Sequence, residues 1–164
     1  MYTLKTIAEK DYIEFAYNMQ DLFDVMKGNC QMVVSALVAQ GVIKDPDPFT
    51  LSDDNLPFFY QSCKAAVESA FNMMAQLSRE LKGVLPDLTV FDVPNSSIKL
   101  NVGSKSTINE ASLSGWDTAI SSYLIAYVLR DWYTIFMPNG QSGLAEAAQM
   151  LNSSANQRTL SNGN

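Results

Sequence analysis

Four aspartates lie close together between residues 45 and 54 and form the one carboxylate cluster of this 164-residue chain. A calcium-binding loop would also need a glycine at its sixth position and a bidentate glutamate at its end, and this segment has neither. We therefore interpret the four residues as parts of a turn and of a helix start, namely Asp45, Asp47, Asp53 and Asp54.

Nucleophilic and phosphate-binding chemistry has little support in the sequence. The chain has no histidine, which excludes histidine-based triads and zinc sites that need an imidazole ligand. Neither GxGxxG nor GxxxxGK[ST] occurs, so the glycine-rich phosphate loops are missing as well. The sequence predicts that the protein is not an enzyme and binds no metal or cofactor.

Two further chemical features have structural interpretations. Cys30 and Cys63 lie outside any CxxC motif, and we expect two reduced core cysteines at helical positions, with a disulfide as the alternative. Arg130 and Asp131 are adjacent in sequence. Since neighbouring residues on a helix do not face each other, we expect each to find a partner elsewhere.

The elements that would position these residues are predicted to be mostly helical. A capping-box pattern begins at Thr6, and apolar residues at three- and four-residue steps over 13–26 predict a first helix that ends or kinks near Gly28. Apolar periodicity resumes after it and ends at Gly41, and residues 44–49 form a loop with two prolines. A second long helix is expected from residues 52–54 to Gly83.

Residues 88–102 carry the one convincing β signal. Their alternation predicts a hairpin with its turn at 94–97 and Asp92 opposite Lys99. The apolar face of this hairpin is formed by Phe91, Val93, Ile98, Leu100 and Val102. A two-stranded ribbon is marginal in water, so this face rests either on the chain's own helices or on another subunit.

Residues 119–138 form the most apolar stretch, and Arg130 and Asp131 within it argue against a membrane span. We expect this stretch to lie in a long helix, for which the sequence offers two possible starts, with capping patterns at 107–110 and at 114–117. We expect Trp116, Leu124, Val128 and Trp132 to be largely buried. Large residues outside this stripe, such as Tyr133, indicate a helix that is central in a bundle or shared with another chain.

The C-terminal region is predicted as one short helix over 141–151 followed by a polar arm. The domain organisation is thus a single helical domain at 1–152, with four or five helices and the hairpin at 88–102, and an extended arm at 153–164. Leu160 is the one large apolar residue of that arm. The arm either stays disordered or becomes ordered on a neighbour.

The charge balance limits the possible partners. Apolar residues make up 47% of the chain and charged residues 17%, which is a globular composition with less surface charge than a free monomer usually carries. The net charge is −6 and the basic residues are scattered, so sequence-specific nucleic-acid binding is not expected. The N-terminal residues lack the pattern of a signal peptide, and we expect a cytoplasmic protein.

Helices, an isolated hairpin, a very apolar late helix and a polar arm follow one another in an order that resembles the head-to-tail connector (adaptor) subunits of tailed bacteriophages, especially over residues 52–164. The resemblance implies a homo-oligomeric ring in the virion neck, joining portal to tail after assembly in the host cytoplasm. DNA would pass through an acidic channel as a passive contact, with no membrane and no small-molecule substrate.

We expect the contacts between subunits to involve the hairpin face, the late helix and the arm. The candidate interface residues are Phe91, Val93, Ile98, Leu100, Val102, Tyr133 and Leu160. The alternative is a small cytoplasmic helical adaptor, monomeric or dimeric, which binds another protein and has no enzymatic activity.

Overall fold

The computed structural model describes residues 2–7, 10–77, 97–103, 110–136 and 143–160, with the backbone alone at 5–7, 10–12, 75–77, 101–103, 110–112 and 155–160. Strands β1 (Tyr2–Ile7) and β2 (Lys10–Asn18) precede helix α1 (Met19–Ala39). Two short 3-10 helices (Asp47–Phe49 and Asp53–Asn55) lead to helix α2 (Leu56–Leu77). Strand β3 (Ser97–Gly103) and helices α3 (Glu110–Phe136) and α4 (Leu144–Leu160) follow. The fold is mostly helical with a small antiparallel sheet, and this confirms the predicted class.

The first predicted helix is wrong over residues 10–18, which form strand β2. Ile13, Phe15 and Tyr17 alternate along this strand and are all buried, with Ile13 and Phe15 fully inaccessible. Ile13 and Tyr17 are also four residues apart, so the same residues fit a helical step when Phe15 is overlooked. The helix begins instead at Met19, where the Asn18 side chain accepts a 3.1 Å hydrogen bond from the Asp21 amide.

The sheet has the order β1-β2-β3, and both pairs are antiparallel. Strand β3 pairs with β2 so that Ile98 lies opposite Tyr17 and Leu100 opposite Phe15. Ile98 and Leu100 are buried and Lys99 is exposed, which confirms the predicted alternation of the second hairpin strand. The predicted first strand of that hairpin lies outside the described residues.

Helix α3 is the central element, because it packs against α1, α2 and α4. Trp116, Leu124, Val128 and Trp132 are each at most 5% exposed, which confirms the predicted buried stripe. Trp116 also stacks on Phe15 of the sheet, with 6.3 Å between ring centroids. One hydrophobic core therefore joins the sheet to the helices.

The helix ends agree only partly with the sequence predictions. Helix α1 passes through Gly28 without a break and is followed by Gly41, whose φ of 72° suits a residue without a side chain. Helix α3 already includes Ser114, so the later of its two possible starts is wrong.

The extended arm predicted from residue 153 is also wrong, as far as residue 160, because α4 continues to Leu160. The indole Nε1 of Trp116 donates a 2.6 Å hydrogen bond to the carbonyl oxygen of Ser154. This bond ties the second half of α4 to the central helix.

Candidate protein-binding surface

Helix α1 has one face in the core and one face in solvent. Its buried residues recur at helical spacing and are Met19, Leu22, Phe23, Met26, Cys30 and Val34. Phe23 packs on Phe59 of α2, with 4.8 Å between ring centroids. Since these residues fix how the helix rotates on the core, the opposite face points away from the protein.

That opposite face is apolar or small over four turns. We call it the α1 face and define it by Val25, Gly28, Met32, Ser35, Ala36 and Ala39, all of which are exposed. Val25 is 48% and Met32 66% exposed, and Val42 just beyond the helix is 54% exposed. No charged residue occurs between Lys27 and Lys44. A solvent-facing helix surface normally carries charged and polar side chains, so this surface differs from a plain solvated one.

Charged residues form ion pairs at the N-terminal end of the α1 face. The Lys27 ammonium lies 3.1 Å from an Asp24 carboxylate oxygen and 2.9 Å from one of Asp53. The hydrogen bond to Asp53, followed by that to Asp24, raises the pKa of Lys27. These ion pairs are exposed and contribute little stability, but they link α1 to the start of α2.

A groove of about 670 Å3 runs beside the α1 face. Its lining includes Gln31, Ser35 and Val38 from α1 and Pro46, Asp47 and Thr50 from the segment that follows. This second wall is held in place at Phe49, whose carbonyl oxygen accepts hydrogen bonds from Trp132 Nε1 at 3.0 Å and from the Cys30 thiol at 3.2 Å.

Gly28 lies in the interior of α1, and the chain itself does not require a glycine there. A Cβ atom added at Gly28 would meet no heavy atom within 4 Å. Glycine in a helix interior costs roughly 0.5–1 kcal/mol relative to alanine. Packing within this chain therefore does not account for Gly28, whereas close approach by another backbone would.

Three of the predicted interface residues are core residues of their own chain. Ile98 and Leu100 are each 1% exposed and Tyr133 is 2% exposed. They do not form an interface in this fold, because the two strand residues face the chain's own helices and Tyr133 of α3 lies in the same hydrophobic core. Of the two alternatives for the apolar face of the hairpin, packing on the chain's own helices holds for Ile98 and Leu100.

The other four predicted interface residues lie at the edges of what the structure describes. Phe91 and Val93 are outside the described residues. Val102 and Leu160 are described by their backbone alone. Val102 belongs to β3, and Leu160 is the last residue of α4. Sequence reasoning missed the α1 face, although the uncharged stretch from residue 28 to residue 43 was a signal for it.

The prediction that Arg130 and Asp131 have separate partners is wrong for Arg130. Arg130 Nε donates to Asp131 Oδ1 at 2.9 Å, and its guanidinium lies over the Tyr127 ring at 3.9 Å. The other oxygen, Asp131 Oδ2, accepts a hydrogen bond from the buried hydroxyl of Ser62. Neighbouring residues on a helix point in different directions, but the long arginine side chain can bend back to reach the carboxylate beside it. The cluster fastens α2 to α3.

Cys30 and Cys63 are both free and buried, which confirms the interpretation as reduced core cysteines. Burial raises the pKa of the Cys63 thiol to about 12. Asp45 accepts a 3.2 Å hydrogen bond from the Asp47 amide, as expected for a turn. Among the described residues, no group of three or more side chains of the ligating types lies together as a metal site would require.

No helix in the described part of the chain combines the length and apolar character that crossing a membrane requires. Comparison with protein-family models finds none that matches this chain, and searches of curated proteins and of solved structures likewise give no significant match. A function must therefore be inferred from the surface itself.

Proposed function

We propose that the chain is a structural subunit of a multi-subunit assembly and acts by binding other protein chains. The observation that carries this proposal is the α1 face, an exposed helix surface with large apolar side chains and no charge beyond Lys27. Covering apolar surface stabilises a complex by about 25 cal/mol per Å2. A surface of this kind costs solubility when it is left free and has a use when a partner covers it.

The particular assembly that we propose is the head-to-tail connector ring that the order of elements resembles. The support is that β3, the apolar helix α3 and the polar helix α4 follow one another in the region of the resemblance. In this proposal the part before residue 52, with β1, β2 and α1, is an addition that faces outward and presents the α1 face. The net charge of −6 suits a wall along which DNA passes without binding.

The size of the particle formed by the purified chain tests this proposal. Native mass spectrometry across a series of concentrations is expected to show assemblies with more than two copies, since a ring needs a contact that repeats around an axis. A chain whose particles never exceed two copies at any concentration would contradict the ring.

A small helical adaptor is the second candidate, and one observation favours it. Ile98, Leu100 and Tyr133, which were expected to join neighbouring subunits, are buried inside their own chain. Fewer surfaces then remain for the two distinct patches of a head-to-tail contact. An adaptor would bind its partner as a monomer or dimer and would form no larger particle in the same experiment.

A further inference from the structure

We propose that the α1 face and its groove bind one amphipathic helix of a different protein, with a large apolar stripe and with lysine or arginine along the edge that meets the groove. The proposal rests on the proposed function, because it states the chemistry of the partner that covers the same surface. In the ring, this partner would be a component that docks from outside.

The dimensions of the surface suit a single helix. The α1 face rises about 21 Å along its axis, and a helix with its side chains is about 10–12 Å wide. At about 100° per residue, Gly28 and Ala39 form the middle line of the face. Val25 and Met32 lie to one side of this line, whereas Val38 lies to the other side and lines the groove. A helix laid along the middle line would cover the apolar side chains with one edge and reach the groove with the other.

The far wall of the groove is held in shape by hydrogen bonds. The Thr50 hydroxyl donates to the Pro46 carbonyl oxygen at 3.0 Å, and the Asp47 amide donates to Asp45 Oδ1 at 3.2 Å. The Phe49 carbonyl oxygen, between them and the core, accepts the Trp132 hydrogen bond. A groove with a fixed wall loses little conformational freedom when a partner enters it.

The charge around this surface is strongly negative. Residues 19–55, which form α1 and the far wall, contain six acidic and two basic residues, so they carry −4 of the chain's net charge of −6. Lys27, one of the two basic residues, already contacts two aspartates. In the described part of the chain, no ion pair involves Asp45 or Asp47, and Asp47 lines the groove. An apolar strip thus has unneutralised carboxylates along one border.

The C-terminal end of α1 adds to this negative potential. The dipole of a helix places partial negative charge at that end, and the last turn of α1 contains no basic residue. Val38 of that turn lines the groove together with Asp47. Lys44 is the single basic residue among residues 40–55. A lysine or arginine on the partner's edge would therefore meet both the carboxylates and the helix end.

The same charge argues against two other occupants. A second copy that presented this surface would bring its own acidic border against the first one. Nucleic acid would bring phosphates to the same carboxylates. A basic amphipathic helix instead offers opposite charge at the border and apolar side chains over the strip.

Fluorescence anisotropy tests the proposal with the full chain and three helical peptides of about 18 residues, long enough to span the face. The first peptide has a leucine stripe and a lysine edge, the second has the same stripe and a glutamate edge, and the third has the lysine edge with serine in place of leucine. We expect the first to bind about tenfold more tightly than the second, because lysine is attracted where glutamate is repelled. The third should show no saturable binding, since it has no apolar stripe.

Charge variants of the chain locate the binding edge. Asp45→Asn combined with Asp47→Asn should weaken binding of the lysine-edged peptide several-fold and make it less sensitive to salt. Asparagine keeps the side-chain oxygen that accepts the Asp47 amide, so the turn is retained. Glu68→Gln combined with Glu146→Gln is the matched control, because it removes the same charge from exposed residues of α2 and α4.

An uncharged substitution locates the apolar strip. Met32→Gln should weaken binding of the first peptide, whereas Met150→Gln, at an exposed methionine of α4, should not. The titrations use dilute chain, because we expect the uncovered apolar side chains to associate weakly with one another at high concentration.

Equal binding of the lysine-edged and glutamate-edged peptides would overturn the proposal. An equal loss in the two double variants, or unchanged binding by Met32→Gln, would overturn it as well. Particles of more than two copies, formed by a chain that binds none of the peptides, would leave the proposed function standing and reject this partner. Saturable binding by a chain that never exceeds two copies would support the partner and reject the ring.

Discussion

The indole Nε1 of Trp132 donates a 3.0 Å hydrogen bond to the carbonyl oxygen of Phe49, across 83 residues of sequence. The Cys30 thiol donates to the same oxygen at 3.2 Å. One carbonyl group thus joins α3, α1 and the segment between α1 and α2. Because this segment is the second wall of the groove, the shape of the candidate binding surface depends on the core behind it.

Trp132→Phe is expected to lower the free energy of unfolding by about 1–3 kcal/mol, since the Phe49 carbonyl loses its stronger donor. Hydrogen exchange should also become faster in residues 47–52. Trp116→Phe is the control, because Trp116 bonds to Ser154 and not to this segment. Equal exchange rates at 47–52 in the two variants would argue against the role given to Trp132.

Gly28→Ala is expected to stabilise the isolated chain by roughly 0.5–1 kcal/mol, because alanine is the better helix former and its Cβ meets no atom within 4 Å. The same variant should weaken association through the α1 face, since a methyl group then lies where another backbone would approach closely. Gly115→Ala in α3 has equally open surroundings and should stabilise the chain without changing its association. Urea unfolding and sedimentation measure the two effects, and association unchanged by Gly28→Ala would count against close packing of another chain at Gly28.

Ser62→Ala should cost about 1.5–3 kcal/mol, because the Asp131 carboxylate loses a hydrogen bond within the packed α2–α3 contact. Ser69→Ala, which removes a hydroxyl that bonds to the neutral Tyr123 hydroxyl, should cost less. Urea unfolding of both variants gives the comparison. A larger loss at Ser69 than at Ser62 would contradict this ranking.

The stability of the protein is expected to fall as the pH rises from 9 to 12. Folding raises the pKa of the Cys63 thiol from its ordinary value of 9.0 to about 12, because burial disfavours the thiolate. The unfolded chain therefore releases this proton first. The stability that the protonated Cys63 thiol contributes is complete below pH 9 and is lost as the pH approaches its pKa in the folded chain, about 12.

Cys63→Ala removes the thiol and should make the fall in unfolding free energy between pH 9 and pH 12 less steep, although the variant is less stable overall. Burial also raises the pKa of Tyr133 to about 12, so part of the slope should remain. The comparison uses urea midpoints under reducing conditions. Identical slopes for the two proteins would show that Cys63 does not titrate as described.

The sequence predicts the core of this protein better than its surface. The burial of Leu124 and Val128 follows from helical periodicity in one continuous segment, which is a local property. The strand at residues 10–18 pairs with β1 directly before it and with β3, which begins only at Ser97, and no local pattern reports the distant partner. Ile13 and Tyr17 suit either period, and the partner strands decide between them.

The α1 face could not be predicted from the sequence for a related reason. The residues with the strongest interface character in the sequence, such as Ile98 and Tyr133, are those that the core needs most, and they are buried. Met32 and Gly28 do not stand out in the sequence, because their meaning depends on which face of α1 the core occupies. Once Phe23 and Met26 face inward, helical spacing makes Gly28, Met32 and Ser35 face outward.

The most direct test of the α1 face as a binding surface is the mass of the chain in solution, measured by sedimentation equilibrium for the wild type, Met32→Asp and Met150→Asp. Both substitutions place a charge at an exposed methionine, so both chains should keep the wild-type circular dichroism. We predict that the wild type and Met150→Asp associate as concentration rises, while Met32→Asp associates less at every concentration, because covering the α1 face would bury a carboxylate without a compensating charge. A wild-type chain that stays single at every concentration, or a Met32→Asp chain that associates as the wild type does, would contradict the role of the α1 face.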